Sequence, residues 1–374
     1  MERVKNFNAG PAALPRVVLE RAHAEWFDFA GTGMSVLENS HRTKPYETMQ
    51  ADAAARIAAL YRLPATHEVL FLQGGASTLF ATLPLNALGG GRRARYLVTG
   101  TWGEKAAKEA KVVATMLGEP EPLVHSTRRS DGWAFSNVPA PGSIPTDAND
   151  AYVHLTTNET VDGVQFAQTG AAALPLEASP LVADMSSDFV SRPMDLGKFA
   201  CVYAGAQKNA GPSGVTIVIV DKRWAEACRK DIPTIFQFRT AVEHRSLYNT
   251  PPTLGVYLVR EVARWIDEQG GLVAMEAIAD HKSKLVYDAI AKSSGFFTCP
   301  VEHDSRSRMN VVFRLPTAEL EASFVRSAEE EGLVGLKGHR IVGGIRASLY
   351  NAVEETWVLD LVDFMARFQK RHGH

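Results

Sequence analysis

The sequence predicts an α/β protein of two units: a large α/β/α unit on a mixed sheet, and a smaller α+β unit at the C-terminal end. Short β-branched apolar runs alternate with helical patterns up to about residue 253, the signature of strands joined through helices. Beyond Pro252 the pattern changes to two long amphipathic helices and then a strand, helix, strand and helix. The chain of 374 residues is long enough for two cores. We place the large unit at 17–253 and the small one at 254–374, with residues 1–16 as an arm packed across the large unit.

Pro15 opens the first helix, which carries Val18, Leu19, Ala22 and Trp26 at helical spacing. A polar loop from Gly31 to Lys44 holds Ser40, His41 and Arg42, which by composition alone read as solvated surface. An Ala-rich helix over 46–61 stops before Pro64. Residues 68–72 form a strand, Gln73 to Thr78 a glycine turn with Gly74, Gly75, Ala76 and Ser77, and 79–88 a helix. Glycines let the backbone approach an anion, and a helix start offers free N–H groups. The turn reads either as a phosphate cradle or as a tight connection needing glycine for geometry alone. The strand at 95–99 leads through Gly100 to Trp102, whose ring reads either as laid flat on a planar cofactor or as core.

Residues 117–149, rich in Pro, Ser, Asp and Gly, read as connecting structure with a short hairpin about Ser130, Asp131 and Gly132. The strand at 151–155 contains His154, read as a satisfied core histidine, and runs into Asn158, Glu159 and Thr160. Strands at 181–184, 200–203 and 215–220 follow, then a short helix over 223–230. In Tyr248-Asn249-Thr250-Pro251-Pro252-Thr253, consecutive prolines forbid a regular element, so a rigid loop presents Asn249 and Thr250. The small unit has helices at 254–269 and on to about 293, strands at 310–315 and 345–349, and helices at 317–331 and 353–369. Ahead of and into its second strand, His339, Arg340 and Arg346 gather among three glycines, Gly338, Gly343 and Gly344. A guanidinium fork matches a carboxylate and clustered Arg/His donors suit a phosphate dianion, so two anion sites are implied.

The stretch Tyr203-Ala204-Gly205-Ala206-Gln207-Lys208-Asn209-Ala210-Gly211-Pro212 holds a lysine among small residues between two buried strands. Taken alone, such a lysine is more often a surface residue. Held in a desolvated place it can lose its proton and attack a carbonyl, which is Schiff-base chemistry. Upstream, Leu181-Val182-Ala183 ends in Asp184. A carboxylate one strand away from such a lysine is what pyridoxal phosphate needs, because it keeps the pyridine nitrogen protonated and the ring an electron sink.

With Phe7 to Ala12, Ser40 to Arg42, Gln73 to Ala76, Asn158 to Thr160, Ala183-Asp184, Tyr203 to Asn209, Tyr248 to Thr253, Gly338 to Arg340 and Tyr350 to Ala352 in one order, the chain resembles the class V aminotransferases of fold type I. Within them it is similar to the branch that acts on phosphoserine. The resemblance implies pyridoxal 5'-phosphate on Lys208, with Asp184 at the ring nitrogen, Trp102 stacked, Thr160 on the phenolic-oxygen side and Gln207 as a further contact. Ala76 and Ser77 would hold the cofactor phosphate, with Asn249 and Thr250 of the other subunit. Arg346 would take the α-carboxylate. His339 and Arg340 would take the distal phosphate, with His41 and Arg42 of the neighbouring subunit, so a homodimer with shared sites is implied. The reaction implied is amino transfer from L-glutamate to 3-phosphohydroxypyruvate, giving O-phospho-L-serine and 2-oxoglutarate in serine biosynthesis. The related transamination of 4-phosphohydroxythreonine is left open. Ala9 stands where some relatives have serine, and Thr43 and Lys44 alter the surroundings of the distal pocket.

Composition excludes several other classes. A formal charge of −2 gives no basic footprint for nucleic acid. Cys201, Cys228 and Cys299 are an odd number with no CxxC spacing, so neither a disulfide framework nor a metal site is indicated. The first residues lack an apolar signal core, and no run approaches the ~18 apolar residues of a membrane span. These features predict a soluble cytoplasmic enzyme of small molecules. A cysteine desulfurase needs a mobile reactive cysteine, which the predicted strand and helix positions disfavour. An alanine:glyoxylate-type enzyme has little use for two His-Arg pairs. A non-catalytic pyridoxal phosphate protein on the same scaffold is the rival from outside the enzymes.

Overall fold

In chain order the strands are β1 (Lys5–Asn6), β2 (His67–Gln73), β3 (Ala94–Val98), β4 (Leu123–Ser126), β5 (Tyr152–Thr156), β6 (Asn158–Glu159), β7 (Val164–Gln165), β8 (Leu181–Asp184), β9 (Cys201–Gly205), β10 (Val215–Asp221), β11 (Asn310–Phe313), β12 (Leu333–Val334) and β13 (Ile345–Ser348). The helices are α1 (Arg16–Ala24), α2 (Lys44–Leu60), α3 (Gly75–Ala87), α4 (Thr101–Leu117), α5 (Lys222–Ala227), α6 (Phe238–Glu243), α7 (Thr253–Glu268), α8 (Gly271–Lys292), α9 (Ala318–Glu330) and α10 (Glu355–His372). The computed structural model describes residues 3–130, 132–140, 143, 147–166 and 179–373. The hairpin expected about Ser130, Asp131 and Gly132 turns on residue 131, which lies outside the described residues.

One sheet takes seven strands in the order β2-β10-β9-β8-β5-β3-β4. Only β10 is antiparallel to its neighbours; β9, β8, β5, β3 and β4 pair in parallel. This is the expected mixed sheet. Every residue of β3, β5, β8 and β9 is buried, so both faces are covered, as parallel strands require. Alternate side chains feed two cores. On one face Phe71, Val202 and Ile217 meet α2 and α7 through Met49, Ile57, Val256 and Ile266. On the other, Leu70, Tyr203 and Val218 meet α3 and α4 through Leu79, Leu83, Ala106 and Ala110.

Two departures from the sequence reading concern edges. Residues 117–149 are more than a connection, because β4 lies within them as an edge strand parallel to β3. Its alternating half-buried residues and the nearby Pro120 and Pro122 conceal it. The N-terminal arm joins the small unit first: β1 pairs in parallel with β12, and Phe7 enters the core of Phe313, Phe324 and Phe364. It then reaches the large unit, where Ala12 N donates to Gln207 O at 2.9 Å.

In the small unit β11 and β13 pair antiparallel beneath α8, α9 and α10. Helix α7 begins where the composition changes, and its Val256, Val259, Val262 and Ile266 lie in the large core with α2. Among the described residues no helix is long and apolar enough to cross a membrane.

Candidate active site

The parallel strands end at one edge, and the loops leaving it carry Gly74, Trp102, Thr160 and Lys208 just beyond β2, β3, β5 and β9, while Asp184 closes β8. Ligands in open parallel sheets bind at this carboxyl edge. After β9 the chain turns tightly, with the N–H groups of Ala210 and Gly211 both donating to Ala206 O. Asn209 anchors the turn, its Oδ1 accepting from Asn351 N at 2.9 Å and its Nδ2 donating to Ser187 O at 3.1 Å. Lys208 is thereby aimed inward, and its Nζ donates to Thr160 Oγ1 at 2.7 Å.

Burial lowers the Lys208 pKa to about 8, with Asp184 and Glu159 opposing the shift and Arg346 adding to it. Asp184 is 3% exposed, and its Oδ1 accepts from Ser186 N at 2.8 Å. Burial raises its pKa, while the charge of Lys208 pulls it down. A nucleophilic amine and a carboxylate, each tuned by the other, thus share one dry edge.

Trp102 sits in the first turn of α4, with its ring centroid 5.7 Å from Lys208 Nζ. What fixes it is a pair of buried acids that sequence reading passed over. Glu159 accepts from Trp102 N at 2.9 Å and Gly103 N at 2.8 Å, and Asp162 accepts from Thr101 N at 2.7 Å. Burial pushes Glu159 up to about 8 and Asp162 up to about 6. These carboxylates occupy the amides of the α4 start, the groups that would otherwise attract an anion.

Gly100 makes room for the clamp, since a Cβ there would lie 2.3 Å from Glu159 Cγ. Gly100→Ala is therefore expected to lower stability by about 1–3 kcal/mol, as overpacking does, and to loosen Trp102. Denaturant unfolding with tryptophan fluorescence measures both, and an unchanged midpoint would remove the clamp from the account.

Helix α3 has the opposite character at its start. Gly74 (φ 98°) and Gly75 (φ 75°) complete the turn by themselves, so the helix begins at Gly75 rather than at 79 as expected. Ala76 and Ser77 consequently fall in its first turn, whose N–H groups have no intrahelical acceptors. No side chain caps them. Gly74 also cannot carry a Cβ, which would meet Thr78 Oγ1 at 2.2 Å.

From the small unit, Arg346 on β13 donates through Nη1 to Thr160 O at 3.3 Å, and its buried Nε has no partner. Lys208 and Arg346 thus converge on one threonine. His339 and Arg340 lie in a glycine-closed loop, where Gly338 N donates to Gly344 O and Gly343 N to His339 O. Burial lowers the His339 pKa, with Arg346, Lys105 and Arg340 adding to the shift. Tyr350 OH donates to Ala9 O at 2.9 Å, so the backbone at Ala9 is engaged where a side-chain contact is missing.

The remaining predicted residues are less gathered. Gln207 lies beside Lys208 under the arm, where a Cβ on Gly10 would touch both side chains. Thr250 O accepts from Gln73 Nε2 at 2.7 Å, and Asn249 lines a cavity with Gln73, Gly74 and Thr78. Among the described residues, no hydrogen bond ties His41 or Arg42 to the Lys208 cluster; Arg42 is exposed, and His41 Nε2 is buried without a partner. His154 is fully buried, its Nε2 2.7 Å from Tyr203 OH and its Nδ1 without a partner, so the core histidine is only half satisfied.

An aldehyde-bearing phosphorylated pyridine fits these residues: an amine for the aldehyde, an acid for the ring nitrogen, a flat indole, and free amides at α3 for the phosphate. Unpartnered buried donors at Trp102 Nε1 and Arg346 Nε also leave hydrogen-bonding capacity for a polar ligand.

Fold and site together define a fold type I transferase, and the chain belongs to the class V aminotransferases: the model of that family, aminotransferase class-V, matches residues 4–361. Within the class it is similar to phosphoserine aminotransferases. That of Niallia circulans is 49% identical over 373 residues, covering 100% of this chain and 99% of the relative. The solved phosphoserine aminotransferase from Bacillus circulans subsp. alkalophilus superposes with a TM-score of 0.93 at 49% identity, covering 100% of each chain. The one from Trichomonas vaginalis, solved with PLP bound, gives 0.89 at 38% identity, covering 97% of this chain and 100% of the other.

Proposed function

We propose that the chain is a pyridoxal-phosphate-dependent phosphoserine aminotransferase, moving the amino group of L-glutamate to 3-phosphohydroxypyruvate to give O-phospho-L-serine and 2-oxoglutarate. The observation that carries the reading is the Lys208 amine, hydrogen-bonded to Thr160 beside buried Asp184, with Arg346 reaching the same threonine. It gains support from full-length identity of 49% to a phosphoserine aminotransferase.

When bound, the cofactor supplies an electron sink for the carbanion left at the substrate's α-carbon. Lys208 Nζ would hold the cofactor through its aldehyde, with loss of water, and, once freed by the substrate's amino group, is the base placed to take the α-proton. Thr160 Oγ1 holds that nitrogen in place. Asp184 would keep the ring nitrogen protonated, Trp102 would cover the ring, and Gln207 would be a further contact. The amides of Ala76 and Ser77 take the phosphate, with Asn249 and Thr250 of the partner subunit. Arg346 binds the substrate α-carboxylate, and His339 and Arg340 bind the distal anion with His41 and Arg42 of the partner subunit. A homodimer with shared sites belongs to this reading, because the resemblance assigns His41 and Arg42 to the neighbouring subunit's site. So do a cytoplasmic place in serine biosynthesis and a boundary between the units near 253.

The visible spectrum of the cofactor-loaded protein, titrated separately with O-phospho-L-serine, L-serine and L-alanine, tests it. Phosphoserine alone is expected to discharge the lysine-bound band at low concentration. Equal response to alanine would remove the distal-anion assignment. Absence of any band after cofactor is supplied would remove the reading as a whole.

A further inference from the structure

The distal-anion residues expected from the sequence leave out one cation that the structure sets beside them. Lys105, one helical turn beyond Trp102 on α4, lays its Nζ over the Trp102 ring at 4.1 Å from the centroid. Lys208 Nζ lies 5.7 Å from the same centroid. The two amines therefore cannot be farther apart than these two distances laid end to end. A substrate whose nitrogen is at Lys208 places a phosphorus four bonds away, a reach of about 5 Å with single bonds of ordinary length. Lys105 is also near enough to His339 that its charge disfavours protonation of that ring, as do Arg346 and Arg340.

The neighbouring acids do not neutralise it. Glu104 is paired with Arg128 at 2.8 Å, and Glu159 and Asp162 are held by the α4 amides. Glu109, at i+4 in the less favourable Lys-before-Glu order, forms no ion pair with Lys105 among the described residues, where the amine turns to the indole instead. Lys105 on α4, Arg340 in the loop before β13 and Arg346 on β13 thus all lie close enough to His339 to act on it by charge, and of the nearby acids Asp162 acts on Arg346.

We propose that Lys105 is a specificity-determining residue of the aminotransferase, a donor to the substrate's distal phosphate from the Trp102 side of the pocket, opposite His339 and Arg340. This rests on the reading given under Proposed function. The positive charge is lost when Lys105 becomes glutamine, whose amide remains an uncharged donor, while helix propensity is kept. In the cofactor-loaded K105Q protein the concentration of O-phospho-L-serine that half-discharges the lysine-bound band should rise about 10- to 100-fold. That for L-serine, which has no distal anion, should stay unchanged. Calorimetric binding of 3-phosphoglycerate, a phosphorylated acid with no amino group, should weaken by the same factor, and K105R should restore most of both.

The competing role is purely a cation packed over the indole. In that case K105Q shifts phosphoserine and serine alike, and the proposal falls. It falls equally if K105Q binds phosphoserine and 3-phosphoglycerate as the unaltered protein does. If the unaltered protein itself fails to prefer phosphoserine over serine, the functional reading fails first, which separates the two.

Discussion

Lys208→Met abolishes the lysine-bound visible band and lowers turnover by ~10²–10⁴-fold or more, the range for loss of a positioned base, because the same amine is also the nucleophile. Turnover and spectrum alone would not separate this from a misfolded variant, and the amine's environment supplies the control. The unfolded amine titrates near its ordinary 10.5 and the folded one near 8. Below pH 8 both states hold the proton, and the folded chain carries the full cost of a buried charge. Between these values the unfolded chain binds more protons, so this group's contribution to stability rises with pH, and above 10.5 the cost is gone. Cofactor-free Lys208→Met should therefore be more stable than the parent at pH 7 by about 2 kcal/mol, the shift less the lost hydrogen bond to Thr160. The gain should shrink as pH rises toward 10.5. Urea unfolding at several pH values reads it, and a variant that is inactive yet less stable at pH 7 would contradict the burial argument.

That lysine was legible because its surroundings are local: a small-residue turn between two β-branched runs, with Asp184 ending the strand beside them. The strands β5, β8 and β9 were legible for the same reason, since buried parallel strands read as unbroken apolar runs, and antiparallel β10, buried along nearly all its length between β2 and β9, reads the same way. Edge strand β4 was not, because half-exposed Leu123–Ser126 directly after Pro120 and Pro122 has the texture of a loop. The start of α3 was placed late because Gly74 and Gly75 look like a turn of several residues, whereas two positive φ angles finish it in two. Periodicity showed that α7 buries a face and left open against what; its Val256 and Ile266 chose α2. Glu159 and Asp162 read as polar turn residues, and only the three-dimensional return of β6 to the α4 amides reveals them as clamps. The available signal was Gly100 beside Trp102, a glycine with no turn of its own to explain it. Lys105 was indistinguishable from Lys108 and Lys111 except by its spacing from Trp102.

Asp184→Asn separates charge from shape at the other half of the pair. The amide oxygen of asparagine can still accept from Ser186 N, so the end of β8 keeps its geometry. What is lost is the negative charge that raises the Lys208 pKa and that would hold a proton on the cofactor ring. Removing one member of a buried charge pair costs ~3–5 kcal/mol. If that falls on the transition state, turnover drops by ~10²–10⁴-fold. The sign of a second effect is fixed as well: without Asp184 the Lys208 amine loses its strongest stabilising neighbour, so its titration midpoint moves below 8. The pH dependence of aldehyde capture by the cofactor-free protein measures that midpoint. A large loss of turnover with an unmoved midpoint would place Asp184 on the cofactor alone, and a moved midpoint with near-normal turnover would make it a modulator of the lysine only. Both changes together are expected, because one carboxylate, 3% exposed and hydrogen-bonded by Ser186, acts by charge on the Lys208 amine and, in the proposed reading, would also hold the proton of the cofactor's ring nitrogen.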